Sequence, residues 1–316
     1  MRKLGSLLLV ACLLSSGCEF LRNNKKPNGG GGPPAPDRMG APSAENLVGY
    51  LNKQADKLSV IESTDVSLVA TVNKQRMPGL TGFMVCEAPR NFRLTGDAIS
   101  TQYVDIGSNG DKFWFWVKDG EAPLYYCNYT DYEKGVKLPL PFQPEWVVQA
   151  LGMAKYDATR PYTVKQNGST YELIEETTVQ GMPVRKITVF AAGSLPDQSY
   201  PRVVGHIIQD ANTGKTICHA TVKRVRWAKY RSAEGETSVS YPSDVLLEWP
   251  AENLTMTLKI DKATVNQRIA PDASARYFTL PQWPNIRNVD LARYSPGGSP
   301  TSRSNIRQTG GVDYRK

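Results

Sequence analysis

Few residues in this 316-residue chain are equipped for bond-making chemistry: five cysteines and only two histidines, His206 and His219. A nucleophile needs a base beside it, and the sequence offers neither a Gly-x-Ser-x-Gly elbow nor a His-Glu-x-x-His pair. Glu175 and Glu176 are adjacent carboxylates, but on a strand they point to opposite faces and cannot flank one bond. Cys218 and His219 diverge for the same reason, and no Cys-x-x-Cys spacing occurs, so no metal site is expected. The glycine run at 29–32 lacks the Lys-Ser/Thr of a phosphate loop. An enzyme is disfavoured, and no cofactor is implied.

One cysteine does carry a recognisable chemistry. The chain opens Met1-Arg2-Lys3, continues through an apolar run at 7–14 and reaches Ser15-Ser16-Gly17-Cys18. A basic start, a short apolar core and small residues before a cut describe a secretory signal. The run is far below the roughly 20 residues that span a bilayer. The Ser-Gly-Cys ending resembles a lipobox, in which Cys18 is lipidated and the chain is cleaved before it, although Leu14 lies one place further upstream than is usual. The other reading is an ordinary secreted protein with Cys18 incidental. Glu19, rather than Asp, follows the cysteine and resembles an outer-membrane address. The expected location is therefore the bacterial cell envelope, lipid-anchored at the outer membrane and facing the periplasm.

The expected organisation follows. Residues 1–17 are a lipoprotein signal peptide. Residues 18–43 are the lipidated Cys and a flexible Gly/Pro-rich tether, which at about 5–6 Å × √n reaches roughly 30 Å. Residues 44–284 are the folded body, and 285–316 a basic tail expected to be disordered. Of the cysteines, Cys86, Cys127 and Cys218 remain, so at most one intrachain disulfide is possible. Buried thiols and a Cys86–Cys127 bridge both stay open.

Charge is distributed in the same way. The net +8 divides into +2 in residues 1–17, +2 in 18–43 and +4 in 285–316, which leaves the body neutral, with 26 basic and 26 acidic residues. The basic ends suit anionic headgroups. Within the body, residues 223–231 interleave basic and aromatic side chains as nucleic-acid surfaces do. Export removes that partner, so no nucleic acid is expected. On a strand, Arg224 and Arg226 would share a solvated face and Val225 and Trp227 the other, with lipid-headgroup contact as the alternative use.

The body begins with a predicted helix, because Leu47, Val48, Leu51, Ala55 and Leu58 recur at three- and four-residue spacing. A second helix is predicted over 145–152, after Pro144. Elsewhere period-two runs dominate, most clearly at 254–261, separated by turn residues such as Pro78-Gly79, Asp119-Gly120 and Asn167-Gly168. Short spacers predict antiparallel neighbours in one long meander, curled to hide one face. No βαβ rhythm occurs. Phe113-Trp114-Phe115-Trp116-Val117 stands out, with large apolar groups on both faces of one strand. A helix or lid is expected over one side, while the other is either plain core or the wall of a hydrophobic pocket.

These segments resemble the LolA/LolB lipoprotein-carrier superfamily. The likeness runs through the order tether, helix and strand 80–87, then Ala88-Pro89-Arg90-Asn91-Phe92-Arg93-Leu94 and Ser108-Asn109-Gly110-Asp111-Lys112-Phe113-Trp114-Phe115-Trp116. Later it takes in the strand pair around 210–214, Val225-Arg226-Trp227, Tyr241-Pro242 and 265–278, so it covers roughly residues 44–284. The resemblance implies a mainly β fold with few helices: a curved antiparallel sheet forming an open, half-closed β-barrel capped by α-helices. It also implies an apolar cavity for lipid acyl chains or lipoproteins, and a lipidated Cys18 is similar to the membrane-anchored acceptor. The cavity candidates are Phe83, Val85, Phe92, Leu94, Phe113 and Phe115. Leu138, Leu140, Phe142 and Trp146, set among prolines, form a lid or a pinned surface loop. Each acyl CH₂ withdrawn from water contributes about 0.8 kcal/mol, so such a function needs no catalytic group. The RseB family resembles the same fold and implies the alternative, an envelope-sensing module with a protein partner and no cargo.

Overall fold

The computed structural model describes residues 42–136, 138, 144–191 and 202–294. The chain divides into two compact units, Met1–Gly40 and Ala41–Lys316, and every described residue belongs to the second. The signal peptide, Cys18, nearly all of the tether and residues 295–316 lie outside the described residues.

Ser43 opens the first helix, α1 (Ala44–Lys57), by accepting a hydrogen bond from the Asn46 N–H at 3.1 Å. Leu47, Val48, Leu51 and Ala55 form its buried face, as their spacing predicts. Asn266 closes the other end from far along the sequence. Its side-chain amide donates to the Lys57 carbonyl at 2.6 Å, and its side-chain oxygen accepts from the Ser59 N–H at 2.8 Å.

Thereafter the chain is almost entirely strand. β1 (Val60–Val72) and the short β2 (Gln75–Arg76) precede a first meander of β3 (Leu80–Glu87), β4 (Asn91–Ala98), β5 (Thr101–Ser108), β6 (Lys112–Val117) and β7 (Leu124–Asn128). Two short helices, α2 (Tyr129–Glu133) and α3 (Pro144–Ala150), lead to the second meander. It comprises β8 (Tyr162–Asn167), β9 (Thr170–Val179), β10 (Met182–Ala191), β11 (Val203–Asp210), β12 (Thr216–Ser232), β13 (Gly235–Trp249) and β14 (Leu254–Val265). Helix α4 (Pro271–Tyr277) and β15 (Asn288–Asp290) complete the described chain.

Among the described residues fifteen strands form one sheet, in the order β15-β7-β6-β5-β4-β3-β1-β14-β13-β12-β11-β10-β9-β8, with β2 on β1. It is curved and not closed into a barrel, so the expected fold class holds. The expected single meander is two, sewn together along β1 and β14, where Ile61 faces Val265 and Val72 faces Leu254. This order dictates where the helices go. β7 lies next to one end of the sheet and β8 at the other, and α2, α3 and residues 151–161 between them lie across a face. They cross the inner face, where Tyr129, Val147, Val148, Leu151 and Met153 join the main apolar core with Phe113 and Phe115.

Two boundaries differ from expectation. Runs 236–241 and 245–249 are one strand, β13, continuous through Pro242. Proline is tolerated there because β12 is irregular opposite it, with register shifts on both sides of Arg224. The folded body also continues past residue 284. β15 pairs in parallel with β7, Asn288 opposite Leu124, and Leu291 is buried in the core.

Gly107 on β5 shows how tightly the outer face is built. A Cβ at this position would lie 2.3 Å from the Trp114 ring. Gly107→Ala is expected to displace the indole and lower stability by about 1–3 kcal/mol. The urea unfolding midpoint reads this; an unchanged midpoint would show that Trp114 is not fixed there.

Candidate functional site

The inner wall is set by strand register. Cys86 faces Phe92, Met84 faces Leu94, Leu94 faces Ile106, and Ile106 faces Phe115. Phe113 faces Cys127 on β7. Cross-strand partners share a face, so these residues form one continuous apolar surface, and all of them lie in the main core. Four of the six expected cavity residues, Phe92, Leu94, Phe113 and Phe115, are brought together here. Phe83 and Val85 are not. They occupy the alternate positions of β3 and face outward, with the Phe83 ring 4.9 Å from that of Tyr277. Met84 and Cys86 hold the inner positions in their place. Both pairs are apolar, so the alternation within β3 carried no signal of which pair turned inward.

The outer face of the same strands has its own cover. Trp114 and Trp116 pack with Leu124 against Leu280, Trp283 and Ile286, and the Trp116 and Trp283 rings are 5.2 Å apart. The expected lid over one side of 113–117 is therefore the stretch that follows α4. Arg93 fastens it. Its guanidinium donates to the Asp105 carboxylate at 2.5 Å and to the Tyr277 carbonyl at 3.2 Å. The Trp114 indole N–H and the Gln102 amide also donate to Asp105, at 3.3 and 3.1 Å. Burial pushes the Asp105 carboxyl up from its ordinary value, and the Arg93 guanidinium pulls against that shift.

The expected lid over the inner face is in part observed. Leu138 and Trp146 pack on the main core, while Leu140 and Phe142 lie outside the described residues. Gln180, in the turn between β9 and β10, latches this region: its amide donates to the Tyr132 carbonyl at 2.8 Å and the Val136 carbonyl at 2.7 Å. The sequence held no signal for this latch, because Gln180 reads only as a turn residue before Gly181. Beneath the cover the wall is packed. Phe92 and Leu94 are 0% exposed, Phe113 1% and Phe115 4%, which leaves no chain-sized void against them. A cavity of ≈ 10 Å³ lies between Trp146 and Gln149 of α3 and Lys186, His206, Cys218 and Ala220 of the sheet, room for about one water.

No family model and no curated protein matches this chain. Solved structures do. A Vibrio parahaemolyticus domain described as outer membrane lipoprotein-sorting is 6% identical, at a TM-score of 0.47, over 74% of this chain and 96% of that one. A DUF1329 family protein from Desulfovibrio piger is 9% identical, at 0.45, over 75% and 95%. A LolA superfamily protein from Nitrosomonas europaea is 12% identical, at 0.43, over 76% and 99%. The superfamily that the sequence resembles recurs among these structures. The likeness lies in the course of the chain.

The thiols are part of the wall. Cys86, Cys127 and Cys218 are free and buried. Cys86 on β3 and Cys127 on β7 are separated by β4, β5 and β6, and at roughly 4.8 Å per strand this lies far beyond disulfide reach, so the Cys86–Cys127 bridge is excluded. Burial raises all three, Cys127 to about 11 and Cys218 to about 12, so they are thiols at neutral pH.

His206 contributes a pH dependence. It faces Thr188, whose hydroxyl lies 3.4 Å from Nδ1, and shares its small cavity with Lys186 and Cys218. Burial first, and the neighbouring His219 second, lower it to about 4. The unfolded chain, near 6.5, thus binds a proton before the folded one does. Stability from this group is complete above about pH 6.5 and declines as pH falls toward 4. About 1–2 kcal/mol is expected to be lost between pH 7 and pH 5. Urea midpoints at the two pH values measure it, and His206→Gln is expected to remove that share of the decline.

Proposed function

We propose that this chain is a lipid-anchored envelope lipoprotein whose inner wall takes up acyl chains, free or carried by another lipoprotein, when the cover of α2 and α3 lifts. The observation that carries this reading is the nature of the cover. An apolar wall drawn from β3 to β7 is closed by two short helices, five and seven residues long, rather than by a second sheet. Helices this short have little stability of their own and depend on the surface they cover. An acyl chain laid along Phe92, Leu94, Phe113 and Phe115 would replace their apolar contacts at about 0.8 kcal/mol per CH₂. Cys18 would supply the anchor and residues 19–43 the tether. The expected address is the outer membrane, facing the periplasm.

The packed wall favours a second reading, an envelope-sensing module that holds no cargo and acts through a protein partner. Native mass spectrometry of the mature chain incubated with palmitate separates the two. Gln180→Ala removes the latch on Tyr132 and Val136 while leaving the wall intact, and it is expected to raise acyl loading several-fold. Hydrogen exchange in α2 and α3 reports whether the cover has loosened. A loosened cover with no bound acyl species, in either protein, would sink the carrier reading. Cys18→Ala is expected to abolish palmitate labelling in cells and to release the protein from the membrane fraction.

A further inference from the structure

β12 and β13 are longer than the sheet they belong to. β12 pairs with β11 only over residues 216–221, and β13 pairs with β14 only over 244–249. Residues 225–242 therefore continue as a two-stranded ribbon. Ala228, Tyr230, Val239 and Tyr241 on one side pack on the main core, and Arg226 on that side pairs with Asp261 at 3.2 Å. This reverses the expected placement, in which Arg226 was solvated and Trp227 was not.

Trp227 lies on the other side and is 64% exposed, the largest exposed apolar side chain among the described residues. Its cross-strand partner is Ser240, too small to cover an indole. Lys229 and Arg231 follow at two-residue spacing on the same face, opposite Ser238 and Glu236, and Glu236 pairs with Lys229 at 2.9 Å. Lys223 and Arg224, both exposed, stand at the base of the ribbon.

We propose that this ribbon face docks on an anionic lipid surface. Its chemistry matches one: an exposed indole prefers the depth of the headgroups, and the cations Lys223, Arg224, Lys229 and Arg231 outnumber the acids Glu234, Glu236 and Asp244 beside them. A protein partner would leave the tryptophan in a dry pocket and need shape complementarity, whereas a bilayer interface accepts one indole with its flanking cations. The ribbon is held rigidly by its inner side, so docking would fix the orientation of the body independently of any acyl anchor. This holds whether or not the inner wall carries cargo.

The test uses the mature chain with Cys18→Ser, so that no acyl group contributes, and vesicles of phosphatidylcholine alone or with an equal share of phosphatidylglycerol. Binding to the anionic vesicles only is expected, with quenching of tryptophan emission by brominated lipid. Trp227→Ser is expected to abolish most of that quenching, and K229E/R231E to weaken partitioning at least tenfold, with circular dichroism and melting temperature unchanged. Equal binding by wild type and both variants would assign the interaction to the basic ends of the chain and overturn the proposal. So would binding to neither vesicle, or quenching that survives the loss of Trp227.

Discussion

A sheet one layer thick has two faces, and this one carries large apolar side chains on both. β6 makes the constraint plain, because Phe113 and Phe115 point one way and Trp114 and Trp116 the other, all at 7% exposure or less. Burying each contributes about 1.5–3 kcal/mol, so neither face can be left wet. The chain meets this with irregular segments and short helices instead of a second sheet. The helices α2 and α3 lie across the inner face, and the stretch after α4 crosses the outer one. The burial of both walls depends on how these two covers are held.

They are held in different ways. The outer cover is fastened by charge and hydrogen bonds centred on Asp105, which is fully buried and accepts from Arg93, Trp114 and Gln102. Removing one partner would leave an uncompensated buried charge, which is far more costly than losing a surface pair. The inner cover rests on apolar contact, on the two hydrogen bonds from Gln180, on the Tyr156 hydroxyl 2.8 Å from that of Thr188, and on Arg90 lying 4.3 Å over the Tyr129 ring. The inner cover lies over the more uniformly apolar wall.

The sequence made the strand content, α1 and its buried face legible, because periodicity of 3.6 and of 2 survives in any context. It also marked 113–117 as a strand needing cover on both sides. It did not show which way β3 faced, since Phe83 and Val85 are as apolar as Met84 and Cys86, and only pairing with β4 decides between them. Trp227 was misplaced for a related reason. A tryptophan among basic residues reads as the dry side of a strand, but the dry side of the ribbon is set by Val239 and Tyr241 on the neighbouring strand. The seam between β1 and β14 left no local trace at all.

That seam governs how the protein must be assembled. Each meander is built from neighbours close in sequence, but pairs along the seam join residues 182 to 204 positions apart. The entropy of closing so long a loop has to be met before those contacts exist, and such topologies fold slowly. Assembly of the complete sheet therefore waits on the meeting of two strands that begin almost at opposite ends of the body.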